Sequence, residues 1–271
     1  MNQETLNGTK IVKRYLLASD FDKTISFDDT GVELSKLLNI DRFEEKVAGL
    51  ASQNFVQSGA ELTYLLRHDP EFRKVRKEHL IEAGKRVRLK KNVGLLPQFL
   101  NTVSEGYQFQ FYVISAGPQE AVQSALEGIV PPHHIIGTQF VYDASGEIQA
   151  VKHSPSGYGK VSVIKQLLSE LNIAPNRIVY VGDGSSDIHV MLHVNLLESL
   201  TIAVSENLFI KEVAKRIVLS DDAMSVSIPI LEEILGKTSE EIREIFESWG
   251  FQIQGWEKLR TDNLEIALMS N

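Results

Sequence analysis

Three aspartates that follow hydrophobic, strand-like runs are the residues best placed to do chemistry. Asp20 and Asp22 are two positions apart, and alternate residues leaving a strand point to the same side. Asp183 follows a later run, within the motif Gly182-Asp183-Gly184-x-x-Asp187. Three carboxylates in one crevice would raise at least one pKa unless a cation neutralised them. The sequence therefore predicts a hard divalent ion with oxygen ligands, and Mg²⁺ suits this set.

An isolated Asp-x-Asp is more often a turn or a helix N-cap than a catalytic pair. That alternative is weaker here, because a chance Gly-Asp-Gly-x-x-Asp in a chain of this length has a probability on the order of a few in a thousand. A third polar cluster, Ser115 with Gly117 behind it, follows another hydrophobic run. We therefore interpret the three clusters as parts of one site.

These clusters need a scaffold that ends several strands at one edge. Short runs rich in Val, Ile, Phe and Tyr alternate with helical segments, which is typical of a parallel sheet covered by helices. The predicted strands are 15–19, 108–114, 177–181 and 201–204, and a hairpin is predicted from 139–142 and 147–151. Because ligands bind at the carboxyl ends of strands in such sheets, the three polar clusters should meet in one crevice.

The predicted fold class is α/β, a doubly wound parallel sheet with an inserted helical cap domain. We assign residues 1–30 and 106–236 to the core and 31–105 to the cap, in which leucines recur at helical spacing. Residues 237–271 are assigned to a C-terminal helical extension, since Thr238-Ser239-Glu240-Glu241 resembles a capping box.

Composition limits the classes of function. The chain of 271 residues contains no cysteine, so any metal must be held by oxygen or imidazole. The formal net charge of −8 argues against a surface built mainly for nucleic acid. No apolar stretch has the ~18 residues that a membrane span needs, and the first ten residues lack the apolar centre of a secretion signal. We expect a soluble, cytoplasmic protein without a nucleic-acid or membrane partner, and nothing in the sequence indicates its oligomeric state.

The polar clusters, together with one lysine, resemble the four motifs of the haloacid dehalogenase superfamily of phosphohydrolases. In chain order they are Asp20-x-Asp22-x-Thr24, Ser115, Lys160 and Gly182-Asp183-Gly184-x-x-Asp187. A helical insert between the first and second motifs is similar to the cap of the phosphoserine-phosphatase-like branch. The resemblance implies a Rossmann-like core beneath a helical cap.

The resemblance also implies a division of labour between the first two aspartates. Asp20 would be the nucleophile, since a carboxylate can attack phosphorus and give an aspartyl-phosphate. Asp22 would protonate the leaving oxygen and then take a proton from the attacking water. Mg²⁺ would be bound by Asp20, Asp183 and the main-chain carbonyl of Asp22, and it would neutralise phosphoryl oxygens.

Further residues are expected to bind the phosphoryl group or to support the site. The resemblance implies that Ser115 and Ala116 contribute a hydroxyl and a backbone amide, and that Lys160 acts as a point charge. The alternative for Lys160 is a solvated residue at the start of a helix. The expected supporting residues are Thr24, Gly117, Gly184 and Asp187.

Two positions are candidates for substrate specificity. Lys23 stands where the superfamily commonly has Gly or Ser, and it either contacts the substrate or is simply exposed. Asp29 is nine residues after Asp20, where phosphoserine phosphatases carry a longer carboxylate that binds the substrate's amino group. The cap arginine that binds the substrate's carboxylate in those enzymes is replaced by Leu62 at the nearest alignable position. The sequence therefore does not favour phosphoserine as the substrate.

The predicted cap contains a basic stretch, 72–91, with nine lysines and arginines. It is interpreted either as a solvated helix face, balanced in part by Glu78 and Glu82, or as a surface that draws anionic substrates toward the crevice.

The leading hypothesis is a magnesium-dependent phosphatase that hydrolyses a phosphomonoester of a small metabolite through an aspartyl-phosphate. A phosphotransferase or phosphomutase would use the same intermediate and pass the phosphoryl group to an alcohol. A third alternative is a non-catalytic binding module that has kept the fold.

Overall fold

The computed structural model describes the backbone of residues 5–6, 9–10, 12–54, 56–256, 261–263 and 265–268. The strands are β1 (Thr5–Leu6), β2 (Thr9–Lys10), β3 (Lys13–Ser19), β4 (Tyr107–Pro118), β5 (Ile135–Tyr142), β6 (Ile148–His153), β7 (Ile178–Gly182), β8 (Leu200–Ala203), β9 (Arg216–Leu219), β10 (Phe251–Gln254), β11 (Thr261–Asn263) and β12 (Glu265–Leu268). The α-helices are α1 (Thr30–Leu38), α2 (Phe43–Ser52), α3 (Glu61–His68), α4 (Lys77–Arg86), α5 (Leu95–Val103), α6 (Gln119–Ala125), α7 (Tyr158–Glu170), α8 (Ile188–Leu196), α9 (Leu208–Val213), α10 (Ser227–Glu233) and α11 (Ser239–Ser248).

The main sheet has eight strands in the order β11-β9-β8-β7-β3-β4-β5-β6, and all neighbours are parallel except β5 and β6. Its central strand, β3, lies between β4 and β7, with Ser19 in register with Val113 on one side and Val181 on the other. The carboxyl ends of these parallel strands therefore lie at one edge of the sheet, where β4 extends five residues beyond the level of Ser19.

Both faces of the sheet are covered, as the continuous apolar runs require. Along β3, Leu17 packs into the hydrophobic cluster on one face, whereas Leu16 and Ala18 pack into the cluster on the other. Helices therefore cover both faces of a mainly parallel sheet, which confirms the predicted α/β class.

The four predicted strands and the hairpin are present, with two differences. Strand β4 continues through Pro118, beyond the predicted end at residue 114. Strand β9 was not predicted: it has only four residues and, unlike the equally short β8, begins with the charged Arg216. Within the described residues, no helix combines the length and apolar character that a membrane crossing needs.

The insert between β3 and β4 is helical, as predicted, but its last helix packs on the sheet. Helices α1, α3 and α4 share a cluster with Phe140 and Ile148 of the hairpin. Helix α5 instead contributes Phe99 and Leu100 to the sheet's cluster, and Asn101 Oδ1 accepts a hydrogen bond from Phe109 N at 2.7 Å. The packing thus associates α5 with the core rather than with the cap, and the remaining domain limits stay predictions.

The C-terminal tail differs from the predicted helical extension. Helix α11 begins with the expected capping box, in which Thr238 and Glu241 exchange hydrogen bonds. The chain turns at Gly250, which has a φ of +78°, and then alternates buried and exposed residues as β10, paired with β12. This period of two favours a strand. Strand β11 extends the main sheet beside β9.

Candidate active site

Asp20 occupies the position directly after the central strand and is buried. Its Oδ1 accepts a hydrogen bond from Phe21 N at 2.7 Å, and its Oδ2 lies 2.9 Å from Lys160 Nζ. Two donors thus fix the carboxylate, which leaves the sheet at the edge where β4 and β7 also end.

Asp187 organises the floor of the site from beneath. Its Oδ1 accepts hydrogen bonds from Lys160 Nζ at 2.7 Å and from the Tyr180 hydroxyl at 2.6 Å. Its Oδ2 accepts from the amides of Asp183 and Gly184 at 3.1 and 3.3 Å. With four donors on one buried carboxylate, Asp187 positions both the lysine and the loop that carries Asp183.

Two glycines permit these close contacts. A Cβ at Gly182 would lie 2.5 Å from the Asp187 carboxylate, so only glycine fits there. A Cβ at Gly117 would lie 3.1 Å from Asp22 Oδ2 and 3.2 Å from Ser115 Oγ. Gly117 therefore lets the end of β4 approach the loop after β3.

Three carboxylates converge on one point. Oxygens of Asp20, Asp183 and Asp187 all lie within 4.8 Å of one another. Burial and the charge of Asp187 raise the pKa of Asp20 to about 7, against the lowering effect of Lys160. Burial and the charges of Asp187 and Asp20 raise the pKa of Asp183 to about 8. The cluster is therefore short of positive charge, and a divalent cation on its oxygen donors would supply it.

The sequence predicts that the carboxylates of Asp20, Asp22 and Asp183 meet. In the structure, Asp187 takes the place of Asp22 in this cluster. Asp187 is part of the carboxylate cluster, but hydrogen bonds already engage both of its oxygens. The Asp22 carboxylate is turned toward α1 and lies outside the cluster. Asp20 and Asp183 are thus the carboxylates best disposed to hold a metal, and Thr24 Oγ1 donates to Asp183 Oδ1 at 3.3 Å.

Asp22 links the loop after β3 to the first helix of the insert. Its Oδ1 accepts hydrogen bonds from Thr30 N at 2.8 Å and Thr30 Oγ1 at 2.6 Å, at the first residue of α1. Loss of hydration and the nearby charge of Asp29 raise the pKa of Asp22 well above its ordinary value, although the Thr30 hydrogen bonds act in the opposite direction. A carboxyl with a raised pKa keeps its proton to a higher pH than an ordinary carboxyl, which suits a proton donor.

Ser115 lies buried near the end of β4, and its Oγ accepts a hydrogen bond from Gly117 N at 3.0 Å. Ala116 follows it, and its carbonyl accepts a hydrogen bond from Thr138 Oγ1 at 2.7 Å. Lys160 is fully buried in α7, which contradicts the alternative of a solvated helix end. Burial alone would lower its pKa, but the charges of Asp187 and Asp20 outweigh burial and raise it, so Lys160 stays protonated.

Asp20, Asp22, Ser115 and Asp183 line one cavity of about 290 Å³ between the core and the cap, whereas Lys160 and Asp187 are buried behind it. We define the floor as its core residues Asp20, Asp22, Ser115, Ala116, Gly117, Asp183 and Gly184. We define the roof as its cap residues Phe43, Val47, Ala51, Ser58, Gly59, Glu61 and Leu62. The volume is near the lower end of the roughly 300–1,000 Å³ usual for ligand pockets, which suits a small molecule.

A family model described as haloacid dehalogenase-like hydrolase matches residues 17–192, which include all four motifs. The chain belongs to the haloacid dehalogenase-like hydrolases. This confirms the resemblance drawn from the motifs.

Several solved structures share the fold of this haloacid dehalogenase-like hydrolase. A substrate-bound phosphoserine phosphatase complex is 19% identical, with 83% of this chain and 98% of that chain covered, at a TM-score of 0.63. A phospho-aspartyl intermediate analogue of phosphoserine phosphatase is 20% identical, with 83% and 98% covered, at a TM-score of 0.62. A gene product of Archaeoglobus fulgidus is 14% identical, with 95% and 91% covered, at a TM-score of 0.62. No curated protein matches the chain.

The roof of the hydrolase lies directly on the core. Ser58 Oγ and Ser185 Oγ are 2.7 Å apart and share a hydrogen bond across the cavity's edge. Gly59 has a φ of +89°, and a Cβ there would lie 3.0 Å from Ser186 Cβ and 3.1 Å from Ala116 Cβ. The cap is therefore closed, with its loop in contact with the floor.

Both predicted specificity residues line the cavity. Lys23 is exposed and has a φ of +56°, and its charge acts to lower the pKa of Asp183. Asp29 is the N-cap of α1, where its Oδ1 accepts hydrogen bonds from Gly31 N and Val32 N at 2.9 and 3.2 Å. Whether either residue contacts a substrate stays a prediction.

The basic stretch does not contribute to the cavity: among the described lining residues, none belongs to 72–91. Arg88 pairs with Asp28 at 2.7 Å, and Lys74 Nζ donates to the Leu38 carbonyl at 2.8 Å. These contacts favour the interpretation of a solvated face with local partners.

Two residues of the site were missed in the sequence. Tyr180 donates to Asp187, but a tyrosine in an apolar strand is normally interpreted as core; its sequence signal is its position two residues before Gly182. Thr30 holds the Asp22 carboxylate, and its signal is its position at the predicted boundary between core and cap.

Proposed function

We propose that this hydrolase is a magnesium-dependent phosphatase that acts on a phosphomonoester of a small metabolite through a phosphoryl group on Asp20. The observation that carries the proposal is the buried Asp20 carboxylate, held by Lys160 at 2.9 Å and clustered with Asp183 on the floor of a small cavity. The neighbour described as a phospho-aspartyl intermediate analogue supports the same chemistry.

The donor set fits Mg²⁺, because its oxygen donors are carboxylates that lack compensating charge. Asp20, Asp183 and the main-chain carbonyl of Asp22 would hold the ion. Bound there, Mg²⁺ would neutralise charge on the phosphoryl oxygens.

In the first half-reaction, a carboxylate oxygen of Asp20 attacks phosphorus, forming an O–P bond as the bond to the alcohol oxygen breaks. Asp22 donates its proton to the departing oxygen, which leaves as a neutral alcohol. The phosphoryl oxygens are bound by Ser115 Oγ, by backbone amides at the end of β4 and by Lys160 Nζ.

In the second half-reaction, the Asp22 carboxylate takes a proton from water, whose oxygen attacks the phosphorus. The bond between phosphorus and Asp20 breaks, inorganic phosphate leaves, and both aspartates return to their initial states. Thr30 holds Asp22 for both proton transfers through its hydroxyl and its amide.

Phosphate release from p-nitrophenyl phosphate tests the proposal. Wild-type protein should release phosphate with Mg²⁺ and lose this activity with EDTA, and Asp20→Asn should be inactive in both conditions. Asp41→Asn, the same change at an exposed turn of the cap, is the matched control and should retain activity.

Three results would contradict the proposal in different ways. Equal activity of Asp20→Asn and wild type would remove Asp20 as the nucleophile, and activity unaffected by EDTA would remove the metal. Transfer of phosphate to added glycerol in place of release into solution would support a phosphotransferase instead.

A further inference from the structure

The roof of the cavity is an apolar surface made largely by one helix face. Phe43, Val47 and Ala51 are spaced four residues apart on α2, so they share one face, and all three line the cavity. Leu62 of α3 adds to this surface. No residue of α2 is fully buried, so this stripe has apolar area left over after packing on the cap.

The aromatic member of the roof is held in position. A Cβ at Gly31 would collide with Phe43 Cζ and would lie 3.2 Å from Asp29 Oδ1. The ring therefore packs against the first turn of α1, beside the Asp29 carboxylate. The Phe43 ring thus gives the cavity an apolar wall, next to the position that the alcohol group of a phosphomonoester would occupy.

The charges outside the floor are unfavourable for a second anion. Among the described lining residues that are not part of the floor, the charged ones are Lys23, Asp29 and Glu61. Glu61 accepts a hydrogen bond from Gly59 N at 2.8 Å, and Asp29 caps α1. A carboxylate or second phosphate on the substrate would meet two like charges and apolar side chains. The single lysine there, Lys23, is exposed and lies outside the apolar stripe.

We infer that the substrate is a phosphomonoester whose alcohol is apolar and carries no second anionic group, with Phe43, Val47, Ala51 and Leu62 as the specificity-determining residues. This inference rests on the proposed phosphatase function. An apolar alcohol would displace water from the stripe on α2, whereas a carboxylate would lose its hydration without gaining a partner.

Two substrates that differ by one carboxylate on the same ring test the inference. With Mg²⁺, the wild type should hydrolyse phenyl phosphate with a kcat/KM at least ~10-fold above that for 4-carboxyphenyl phosphate, since a pocket without a partner rejects a charged group. Leu62→Arg places a cation on the roof and should reverse this order. Leu192→Arg, an exposed position on α8 outside the cavity, should leave the ratio unchanged.

The possible outcomes separate this inference from the function on which it rests. Hydrolysis of both substrates at equal kcat/KM by the wild type would overturn the apolar-substrate inference and leave the phosphatase in place. Release of phosphate from neither substrate nor p-nitrophenyl phosphate would overturn the phosphatase itself. Should Leu62→Arg not fold, the wild-type ratio still decides, and Phe43→Ala should reduce that ratio by removing apolar wall.

Discussion

The floor and the roof of the cavity are built in different ways. On the floor and directly beneath it, hydrogen bonds fix the carboxylates: buried Asp187 accepts four, and Asp20 and Asp22 have two donors each. The roof is mainly an apolar helix face with one hydrogen bond to the core, between Ser58 and Ser185, among the described residues. Under the proposed function, the groups at the edge of the sheet would carry out the chemistry, and the side chains of the cap would select the substrate.

This contrast predicts that floor variants change turnover on every substrate, while variants of the roof's apolar side chains change the ratio between substrates. The largest effect is expected at Asp22. Asp22→Asn removes the proton donor and should lower kcat on phenyl phosphate by about 10²–10⁴-fold, the usual contribution of general acid–base catalysis. Steady-state kinetics on both phenyl substrates checks this, and a loss confined to one substrate would contradict the assignment of Asp22 to the floor.

The next effect is on stability. Asp187→Ala leaves buried Lys160 with Asp20 alone and removes the acceptor of the Tyr180 hydroxyl, so the free energy of unfolding should fall by about 3–5 kcal/mol. Urea denaturation measures this change. Val47→Ala, on the roof, should cost less than about 1.5 kcal/mol, since its side chain is only partly buried. Comparable losses of unfolding free energy in the two variants would contradict the difference between the floor and the roof.

The smallest effect is expected where the two regions meet. Gly59→Ala adds a Cβ at a φ of +89°, where it would press against Ser186 and Ala116. The cap should therefore close less completely, and kcat/KM should fall about 10-fold on both phenyl substrates. Gly49→Ala is the control, because Gly49 lies in α2 with nothing within 4 Å of its added Cβ. Kinetics of the two variants compares them directly, and equal activities would show that contact at Gly59 does not control closure.

The core sheet was more predictable from the sequence than the C-terminal tail. Strands β3 and β7 are apolar on both faces, which leaves few alternatives to an interior strand, and their ends place Asp20 and Asp183 at one edge. The tail was less predictable, because the capping box at Thr238 marks where α11 begins and does not reveal that strand β10 follows the helix.

Within the site, the limit is set by convergence in space. Asp20 and Asp183 follow neighbouring parallel strands, so predicting those strands is enough to predict that the two residues lie at one edge of the sheet. The apolar roof arises only when α2 and α3 are placed over the floor, and Leu62 in isolation resembles an ordinary core residue. Tyr180 has the same difficulty, since burial of its ring hides the use of its hydroxyl.

The central claim is that phosphate passes through Asp20, and trapping the intermediate tests it most directly. In Asp22→Asn, p-nitrophenyl phosphate needs no proton on its leaving group, whereas hydrolysis of the intermediate still lacks its base, so the phosphoryl form should accumulate. Acid quench and mass spectrometry should then find one PO3 group on the peptide that contains Asp20, and none in the Asp20→Asn, Asp22→Asn double variant. Turnover of p-nitrophenyl phosphate with no adduct on that peptide, or with an adduct elsewhere, would contradict the account.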